Sequence, residues 1–240
     1  MKINIAHLYP SLLNLYGDRG NLASLTKRLL WRGIECEVKD YELKDDIDFA
    51  TIDIVFLGGG SDQEQLLVCK RLCEIKKEFS AYVEQGGVTV AICGGYQLLG
   101  HYYKLENEMI EGLSILDVFT ETGKGRLIGN VVIQPDFLER PIVGFENHGG
   151  RTMINQHKPL GSVLSGYGNN GRDAFEGVLY KNTIGTYLHG PLLPKNPHLC
   201  DWILKKAIEK KDKEFQLMAL DDTIEFAAND YIVERFTKGR

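Results

Sequence analysis

Short apolar runs alternate with longer amphipathic stretches along the first hundred residues of the chain. Strands are predicted at residues 2–8, 53–57 and 88–92, and helices at residues 21–31 and 61–84. Such alternation is typical of α/β domains, in which each helical crossover returns the chain to the same parallel sheet. The pattern therefore predicts a three-layer sandwich built around a mostly parallel central sheet.

The stretch from about residue 105 to residue 186 is richer in glycine, asparagine and short β-type runs. Its pattern predicts strands of an added antiparallel or mixed part, at residues 127–133, 142–145 and 183–188. Two closing helices are predicted near residues 198–210 and 222–236. Because no repeat or low-complexity linker divides the chain, we expect residues 1–240 to form one domain with C-terminal helices from about residue 196.

Composition excludes several classes of function. A formal net charge of −5 gives no reason to expect a nucleic acid as partner. No run approaches the roughly 20 apolar residues that span a bilayer, and the N-terminus lacks the layout of a signal peptide. The five cysteines are odd in number and offer no obvious metal-ligand spacing. We therefore expect a cytoplasmic protein without disulfides and without a metal site.

The segment V-T-V-A-I-C-G-G-Y-Q, at residues 88–97, carries the clearest catalytic signal. A predicted buried strand ends directly at Cys93, and the two glycines that follow allow the sharp, strained turn of a nucleophile elbow. A helix that begins after this turn would point its positive end at Cys93 and favour the thiolate, which is the nucleophilic form. The alternative is a small core cysteine before a tight turn.

The triple glycine of F-L-G-G-G-S-D, at residues 56–62, also follows a predicted strand. Backbone N–H groups near Gly60, together with the N–H of Gly94, are predicted to form an oxyanion hole. By itself a triple glycine predicts only a turn, and this segment lacks the G-K-[ST] ending of a phosphate loop.

The segment G-T-Y-L-H-G-P, at residues 185–191, places His189 after another predicted strand. A thiol nucleophile needs a base within hydrogen-bond reach, and His189 is the histidine whose context suits that role. His148, in E-N-H-G-G, is the competing candidate. The other four histidines are predicted to be surface or packing residues.

At these three segments the chain resembles the class I, triad-type glutamine amidotransferases, whose nucleophile motif is G-x-C-x-G-x-Q. Cys93, Gly95 and Gln97 match this motif, while Ala91 stands at its first glycine. Residues 144–148, G-F-E-N-H, resemble the G-Y-E-x-H motif of the cobyric-acid-synthase-like branch. The resemblance implies a flavodoxin-like class I amidotransferase fold and an enzyme that releases ammonia from glutamine through a cysteine thioester.

Four patterns extend the resemblance to the glutaminase subunits of bacterial lipid II isoglutaminyl synthases. They are G-G-G-S-D-x-E-Q, I-C-G-G-Y-Q, G-F-E-N-H-G-G-R-T and T-Y-L-H-G-P, at residues 58–65, 92–97, 144–152 and 186–191. This resemblance implies that Cys93 attacks L-glutamine and that His189 protonates the departing ammonia. It also implies that Gln97, Asn147 and His148 contribute to the glutamine site.

Arg126 lies in a glycine-flanked stretch that enters a predicted strand. A guanidinium binds carboxylates through two parallel hydrogen bonds, and glutamine carries a free α-carboxylate. In the resembled subunits an arginine in this stretch holds glutamine, and Arg126 is expected to do the same. The alternative is an ordinary surface arginine.

The resemblance also implies a partner, a Mur-ligase-like synthetase subunit that forms a heterodimer with this chain. The partner would use ATP and Mg²⁺ to activate the α-carboxylate of D-isoglutamate in lipid II, and ammonia would convert it to D-isoglutamine. This chain shows no phosphate loop, so no cofactor is expected in it. The complex would lie at the inner face of the plasma membrane, with membrane contact only indirect, through lipid II.

One position departs from the triad pattern of the broader family, in which a glutamate lies two residues after the histidine. Here that position is Pro191. The base still needs an acceptor that fixes its tautomer and stabilises its charge. Glu146, Asp201 and an acid supplied by the partner chain are the three candidates.

Three other functions stay open at the level of sequence. The chain could serve a different ATP-dependent amidase of the cobyrinate type, or it could be a regulatory pseudo-glutaminase without activity. A stand-alone γ-glutamyl peptidase is the third. The presence of both Cys93 and His189 argues against the pseudo-enzyme.

Overall fold

The computed structural model describes residues 1–14, 18–105 and 108–237. Its strands are β1 (Lys2–Leu8), β2 (Glu35–Tyr41), β3 (Ile54–Leu57), β4 (Val88–Ile92), β5 (Tyr102–Lys104), β6 (Met109–Glu111), β7 (Val118–Gln134), β8 (Ile142–Ile154), β9 (Gly161–Ser165), β10 (Phe175–Glu176), β11 (Val178–Tyr180) and β12 (Thr183–Thr186). Its helices are α1 (Arg19–Leu30), α2 (Asp62–Glu74), α3 (Lys76–Glu84), α4 (Gly94–Leu99), α5 (Pro197–Glu209) and α6 (Thr223–Thr237). Among the described residues, no helix combines the length and the apolarity that crossing a membrane requires.

The central sheet has the strand order β11-β12-β4-β3-β1-β2. The five strands from β12 to β2 are parallel, and β11 pairs antiparallel with β12. The register sets Leu57 opposite Ala91 and Thr186 opposite Ile92. The chain therefore leaves β3, β4 and β12 at one edge of the sheet, within a residue of the same height.

Helices cover both faces of this sheet, which confirms the predicted three-layer α/β sandwich. Val55 and Leu57 belong to a core cluster that includes α2 and α3, whereas Ile54 and Phe56 belong to a second cluster that includes α1 and α5. Since side chains along a strand alternate between faces, a strand buried on both sides is apolar throughout. This is why β3 and β4 appear as continuous apolar runs.

The predicted helix at residues 61–84 is two helices in the structure, because the chain turns at Ile75 between α2 and α3. The start of α2 is capped: Ser61 accepts a hydrogen bond from the backbone N–H of Glu64, and the Glu64 carboxylate accepts one from the N–H of Ser61. This reciprocal capping box fixes where α2 begins.

A second sheet, of order β10-β9-β7-β5-β6 with β8 paired to β7, forms the predicted antiparallel or mixed part. The strand predicted there at residues 183–188 was assigned to the wrong sheet, because β12 pairs in parallel with β4 in the central sheet. Its long strands β7 and β8 make an antiparallel pair whose register shifts between Thr122 and Leu127. The sequence predicted only the C-terminal half of β7 and the first residues of β8. The missed residues 121–126 are polar or glycine and largely exposed, so they carry no apolar alternation.

An ion-pair network joins the two helices on one face of the sheet. Arg28 of α1 is 3% exposed and donates through Nε and Nη2 to Asp201 of α5 at 2.7 Å each. It also donates through Nη1 and Nη2 to Asp222 at 2.6 and 2.7 Å. Arg32 reaches Asp201 as well, at 2.7 Å. The buried guanidinium of Arg28 thus bridges two carboxylates, and Arg32 adds a second cation to the network.

We predict that Arg28→Ala lowers the free energy of unfolding by about 3 kcal/mol, because it removes the cation that pairs with Asp222 and leaves Asp201 with Arg32 alone. Urea unfolding followed by circular dichroism measures this change. Lys205→Ala, which breaks the exposed 3.8 Å pair with Glu209 on α5, is the matched control and should change stability by less than about 1 kcal/mol. Equal effects of the two substitutions would contradict the prediction.

Candidate active site

Four turns meet at the carboxyl edge of the central sheet. Cys93 follows β4, the glycine turn at residues 58–60 follows β3, and His189 lies three residues beyond β12. Asp18 immediately precedes α1, the helix that follows β1. Because these strands are neighbours and parallel, residues that are distant in the chain share one small volume, as expected for ligand sites in such sheets.

Cys93 has a backbone conformation that only a sharp turn explains. Its φ of 50° and ψ of −104° lie outside the regions that non-glycine residues favour. Its N–H donates to the carbonyl of Thr186 at 2.8 Å, and its carbonyl accepts from the N–H of Gln97 at 3.0 Å. The strained residue thus links β12 to α4, in the geometry of a nucleophile elbow.

His189 is held by the second sheet. Its N–H donates to the carbonyl of Phe145 at 2.8 Å, and the N–H of Phe145 donates back to the carbonyl of His189 at 3.2 Å. The side chain is 1% exposed. A Cβ placed on Gly59 would lie 3.3 Å from Cβ of Cys93 and 3.6 Å from Cε1 of His189. Both side chains therefore converge on Gly59, and a residue larger than glycine there would crowd them.

The two glycines predicted for an oxyanion hole lie side by side. A Cβ on Gly94 would be 3.1 Å from the backbone nitrogen of Gly60. Gln65 of α2 donates through Nε2 to the carbonyl of Gly60 at 3.3 Å, which fixes that peptide. The N–H of Gly94 is hydrogen-bonded to Cys93 and lowers the pKa of its thiol. The N–H of Gly94 thus lies beside the sulfur, and the backbone nitrogen of Gly60 lies next to Gly94.

Burial, however, dominates the charge state of Cys93 and His189. Desolvation, with help from the negative charge of Asp18, raises the pKa of the Cys93 thiol to about 12. Desolvation, with contributions from His148 and Arg126, lowers the pKa of His189 to about 4. The expected thiolate is therefore not the resting form: at neutral pH the site holds a neutral thiol and a neutral imidazole.

A cavity of about 770 Å³ opens in front of Cys93. Its lining includes, from the turns and helices, Gly60, Ser61, Asp62, Gln65, Cys93 and Gln97, and from the second sheet and its loops Tyr103, Leu105, Glu108, Thr122, Gly123, Gly125, Arg126, His148 and Gly149. Gln97, Arg126 and His148, which the sequence predicted for substrate binding, are thus brought together on its wall. Asn147 is not among the lining residues.

Asn147 is hydrogen-bonded to Arg126, which lines the cavity. The guanidinium donates through Nε to the side-chain oxygen of Asn147 at 2.7 Å and through Nη2 to its backbone carbonyl at 2.6 Å. Nη1 takes no part in these two bonds. They set the direction of Arg126, whose charge lowers the pKa of both Cys93 and His189. The register shift in β7 places Arg126 in this position.

Gln97 and His148 both contact Tyr187. The amide of Gln97 donates to the hydroxyl of Tyr187 at 3.1 Å. The ring of His148 stacks on that of Tyr187 at 3.7 Å between centroids and 5° between planes, and its Nδ1 lies 2.8 Å from the carbonyl of Gly150. These contacts orient Gln97 and His148, and they differ from the contacts that hold His189.

Asp18 is the site residue that sequence reasoning missed. Its carboxylate is fully buried; Oδ2 accepts the backbone N–H of Gly59 at 2.9 Å, and Oδ1 lies 4.0 Å from Nδ1 of His189. Burial raises the pKa of Asp18 to about 7, although the N–H of Gly59 opposes the rise. An aspartate before a helix resembles an ordinary N-cap, yet its side chain makes no cap hydrogen bond in α1. Its position beside His189 is visible only in the three-dimensional structure.

Comparison with known proteins agrees with this geometry. Residues 4–197 match the model of the CobB/CobQ-like glutamine amidotransferase domain. The chain belongs to this family.

Two relatives are similar over most of the chain, and both are named as the GatD subunit of a glutamine-hydrolyzing lipid II isoglutaminyl synthase. The protein of Staphylococcus aureus is 44% identical, covering 98% of this chain and 96% of its own length. That of Streptococcus pneumoniae is 40% identical, covering 93% and 87%. A cobyric acid synthase of Clostridium botulinum is 28% identical over 70% of this chain but only 36% of its own length.

Solved structures confirm the fold class. The crystal structure of one glutamine amidotransferase matches with a TM-score of 0.57 at 15% identity, covering 84% of this chain and 98% of that one. A glutamine amidotransferase from Thermotoga maritima matches with a TM-score of 0.53 at 14% identity, covering 99% of both chains. At such low identity this likeness concerns the fold alone.

The family membership makes the chain a glutamine amidotransferase. Pro191 stands where the triad pattern of the broader family has a glutamate. Pro191 packs on Gly20 in the first turn of α1, where a Cβ on Gly20 would lie only 2.4 Å from Cγ of Pro191. The proline thus holds the helix start that carries Asp18. Pro191 therefore supplies no carboxylate, but it supports the segment that carries the carboxylate of Asp18.

The two acids that the sequence offered within this chain are engaged elsewhere. Glu146 is fully buried, accepts the backbone N–H groups of Tyr167 and Gly168 at 2.7 and 3.0 Å, and lies 3.5 Å from His148. Asp201 belongs to the ion-pair network of α1 and α5. Asp18 is the carboxylate for which the structure records an approach to a ring nitrogen of His189.

The neutral resting state predicts how Cys93 reacts with iodoacetamide in the free chain. With a pKa of about 12, the thiolate fraction rises about tenfold with each pH unit, so the alkylation rate should do the same from about pH 6 to about pH 9. Mass spectrometry of the Cys93 peptide measures the rate. The exposed Cys73 is an internal reference, and Cys93→Ala confirms the assignment. A rate independent of pH would instead indicate a preformed thiolate–imidazolium pair.

Proposed function

We propose that this chain is the glutaminase subunit of a lipid II isoglutaminyl synthase. The observation that carries the proposal is the convergence of Cys93, His189 and a glycine turn on one cavity, in a chain of the glutamine amidotransferase family. Sequence identities of 44% and 40% to two proteins named as such subunits, over most of each chain, support the assignment to lipid II amidation.

In the proposed first half-reaction, His189 takes the thiol proton as Cys93 attacks the side-chain amide carbon of glutamine. A carbon–sulfur bond forms, and the carbonyl π electrons move to oxygen. The N–H groups of Gly60 and Gly94 stabilise this oxyanion. When the carbonyl re-forms, the carbon–nitrogen bond breaks and His189 returns the proton to the departing ammonia.

In the second half-reaction, His189 accepts a proton from water, which attacks the thioester through a second oxyanion. Collapse of this oxyanion breaks the carbon–sulfur bond, and the proton returns to the sulfur of Cys93. Glutamate leaves, and both residues regain their neutral forms. A resting pair without charges suits this cycle, because charge develops only while substrate occupies the site.

Asp18 acts in this proposal as a positioning residue for the base. Its Oδ1 lies 4.0 Å from Nδ1 of His189 and would close to hydrogen-bond distance when the imidazolium forms. The same carboxylate holds the N–H of Gly59, between the base and the oxyanion turn. Asp18 therefore couples the orientation of His189 to the shape of the glycine turn.

Ammonia would pass to a synthetase subunit of the Mur-ligase type, the other half of a heterodimer. That partner would bind ATP and Mg²⁺ and activate the α-carboxylate of D-isoglutamate in lipid II, so that ammonia yields D-isoglutamine during peptidoglycan synthesis. This chain would work in the cytoplasm and approach the membrane only through the complex and its lipid II substrate.

We predict that Cys93→Ala removes glutamine-dependent ammonia release by about 10³-fold or more, because the covalent route is lost. A complex of this variant with the synthetase, co-purified from the native host, should still amidate lipid II when given ammonium chloride. The measurement is mass spectrometry of the lipid II product, with glutamine or ammonium as nitrogen donor. Failure of ammonium to restore amidation in an assembled complex would contradict the division of labour.

The same assay distinguishes the rival substrate. If this chain serves a cobyrinate-type amidase, the co-purified partner should amidate a corrinoid carboxylate and leave lipid II unchanged. Amidation of lipid II with no effect on the corrinoid is the result that the proposal requires.

For Asp18→Asn we predict a fall in kcat of about 10²- to 10⁴-fold, since a misoriented base has effects of that order in serine hydrolases. The carboxylate form exists above a pKa of about 7, so wild-type kcat should rise as pH increases through 7. The variant should lack this rise, which a purely structural defect would not remove.

Asp201→Asn is the control for the Asp18 experiment. It removes a carboxylate from the ion-pair network and should lower stability while keeping the pH profile of kcat. If Asp18→Asn keeps the wild-type pH profile of kcat, Asp18 is not the positioning residue. The acid that orients His189 would then have to come from the partner chain.

A further inference from the structure

The cavity in front of Cys93 has charges of both signs on its wall. Its described lining includes the cation Arg126 and the carboxylates Asp62 and Glu108. L-Glutamine is a zwitterion, with a carboxylate and an ammonium on the same carbon, two methylene groups from the reacting amide. A site for the free amino acid therefore needs a partner for each charge.

Asp62 is the first residue of α2 and faces the cavity next to the glycine turn. An acid at the start of a helix is ordinarily explained by the helix dipole. Here, however, the cap is complete without it, because Ser61 and Glu64 already satisfy each other's backbone N–H groups. The helix start thus leaves the Asp62 carboxylate available to a ligand.

Asp62 is electrostatically coupled to the reacting residues. Its negative charge raises the pKa of Cys93, whereas Arg126 lowers the pKa of both Cys93 and Asp62. Tyr103, on the same wall, is influenced by Asp62, Cys93 and Arg126 together. Asp62, Arg126 and Cys93 also line the same cavity, so all three face the same ligand space. The charges that shift the pKa of Cys93 most are those of Asp18, Arg126 and Asp62, and Glu108 is not one of them.

From this arrangement we propose that Asp62 binds the α-ammonium group of L-glutamine while Arg126 binds its α-carboxylate. The inference rests on the proposed glutaminase function and makes the pair the determinant of substrate class. Glutamine within a peptide carries amides in place of both charges and would leave a carboxylate and a guanidinium unpaired, which is unfavourable. The site therefore selects the free amino acid.

Two analogues separate the two charges. 4-Carbamoylbutanoate is glutamine without the ammonium group, and 4-aminobutanamide is glutamine without the carboxylate. We expect Asp62→Asn, which keeps the size of the side chain, to lower kcat/KM for L-glutamine by about ten- to a hundredfold. The same variant should change kcat/KM for 4-carbamoylbutanoate by less than about threefold. Arg126→Ala should show the reverse selectivity, with 4-aminobutanamide as the insensitive substrate.

Ammonia release by the full chain is the first measurement. Calorimetric binding of the same three compounds to Cys93→Ala, with and without Asp62→Asn, is the second and does not depend on turnover. Glu108→Gln is the matched variant, since it removes the other cavity carboxylate. Selective loss of L-glutamine in Asp62→Asn, with little change in Glu108→Gln, is the expected result.

Three outcomes would overturn the inference. Equal losses for L-glutamine and 4-carbamoylbutanoate in Asp62→Asn would mean a structural role, and selective loss in Glu108→Gln would assign the ammonium to Glu108. In both cases the wild type still hydrolyses glutamine, so the proposed function stands. A wild type that releases no ammonia, together with a Cys93→Ala variant that binds no glutamine, would refute both.

Discussion

The parallel register of four neighbouring strands is the constraint on which the whole site depends. Because β1, β3, β4 and β12 end at one edge of the sheet, the turns that follow them share a small volume. Each turn supplies one component: an acid, a glycine backbone, a thiol and an imidazole. The strained conformation of Cys93 is tolerated because its backbone is bonded to both β12 and α4.

Burial of this edge determines its electrostatics. His189 and Asp18 are buried and Cys93 is half-buried, and this desolvation makes the uncharged form of each more favourable. The site therefore rests without the thiolate that a helix beginning after Cys93 predicts. The dipole of a short helix and one backbone N–H stabilise a thiolate less than desolvation destabilises it. Arg126 and Asp62 line the same cavity and are the charged groups that we propose bind the substrate.

The central sheet was the part of the fold that the sequence predicted well. The bounds of β1 and β4 agree with the predicted strands, since β4 is buried along its whole length, β1 along most of it, and both are rich in apolar residues. The prediction was less complete for β7, whose residues 121–126 are polar or glycine, and for the helix that divides at Ile75. In both places the local pattern is weak, and packing against neighbouring elements decides the conformation.

The sequence by itself determined the chemistry that is local in the chain: a cysteine and a histidine that each follow a strand, a glycine turn, and the motifs of an amidotransferase family. Only the tertiary structure decided which acid lies beside His189, because Asp18 comes from a distant turn and resembles a helix cap in the sequence. It also decided the charge states and brought Asp62 and Arg126 into the lining of one cavity. These properties depend on burial and on distances between remote residues, which no local pattern encodes.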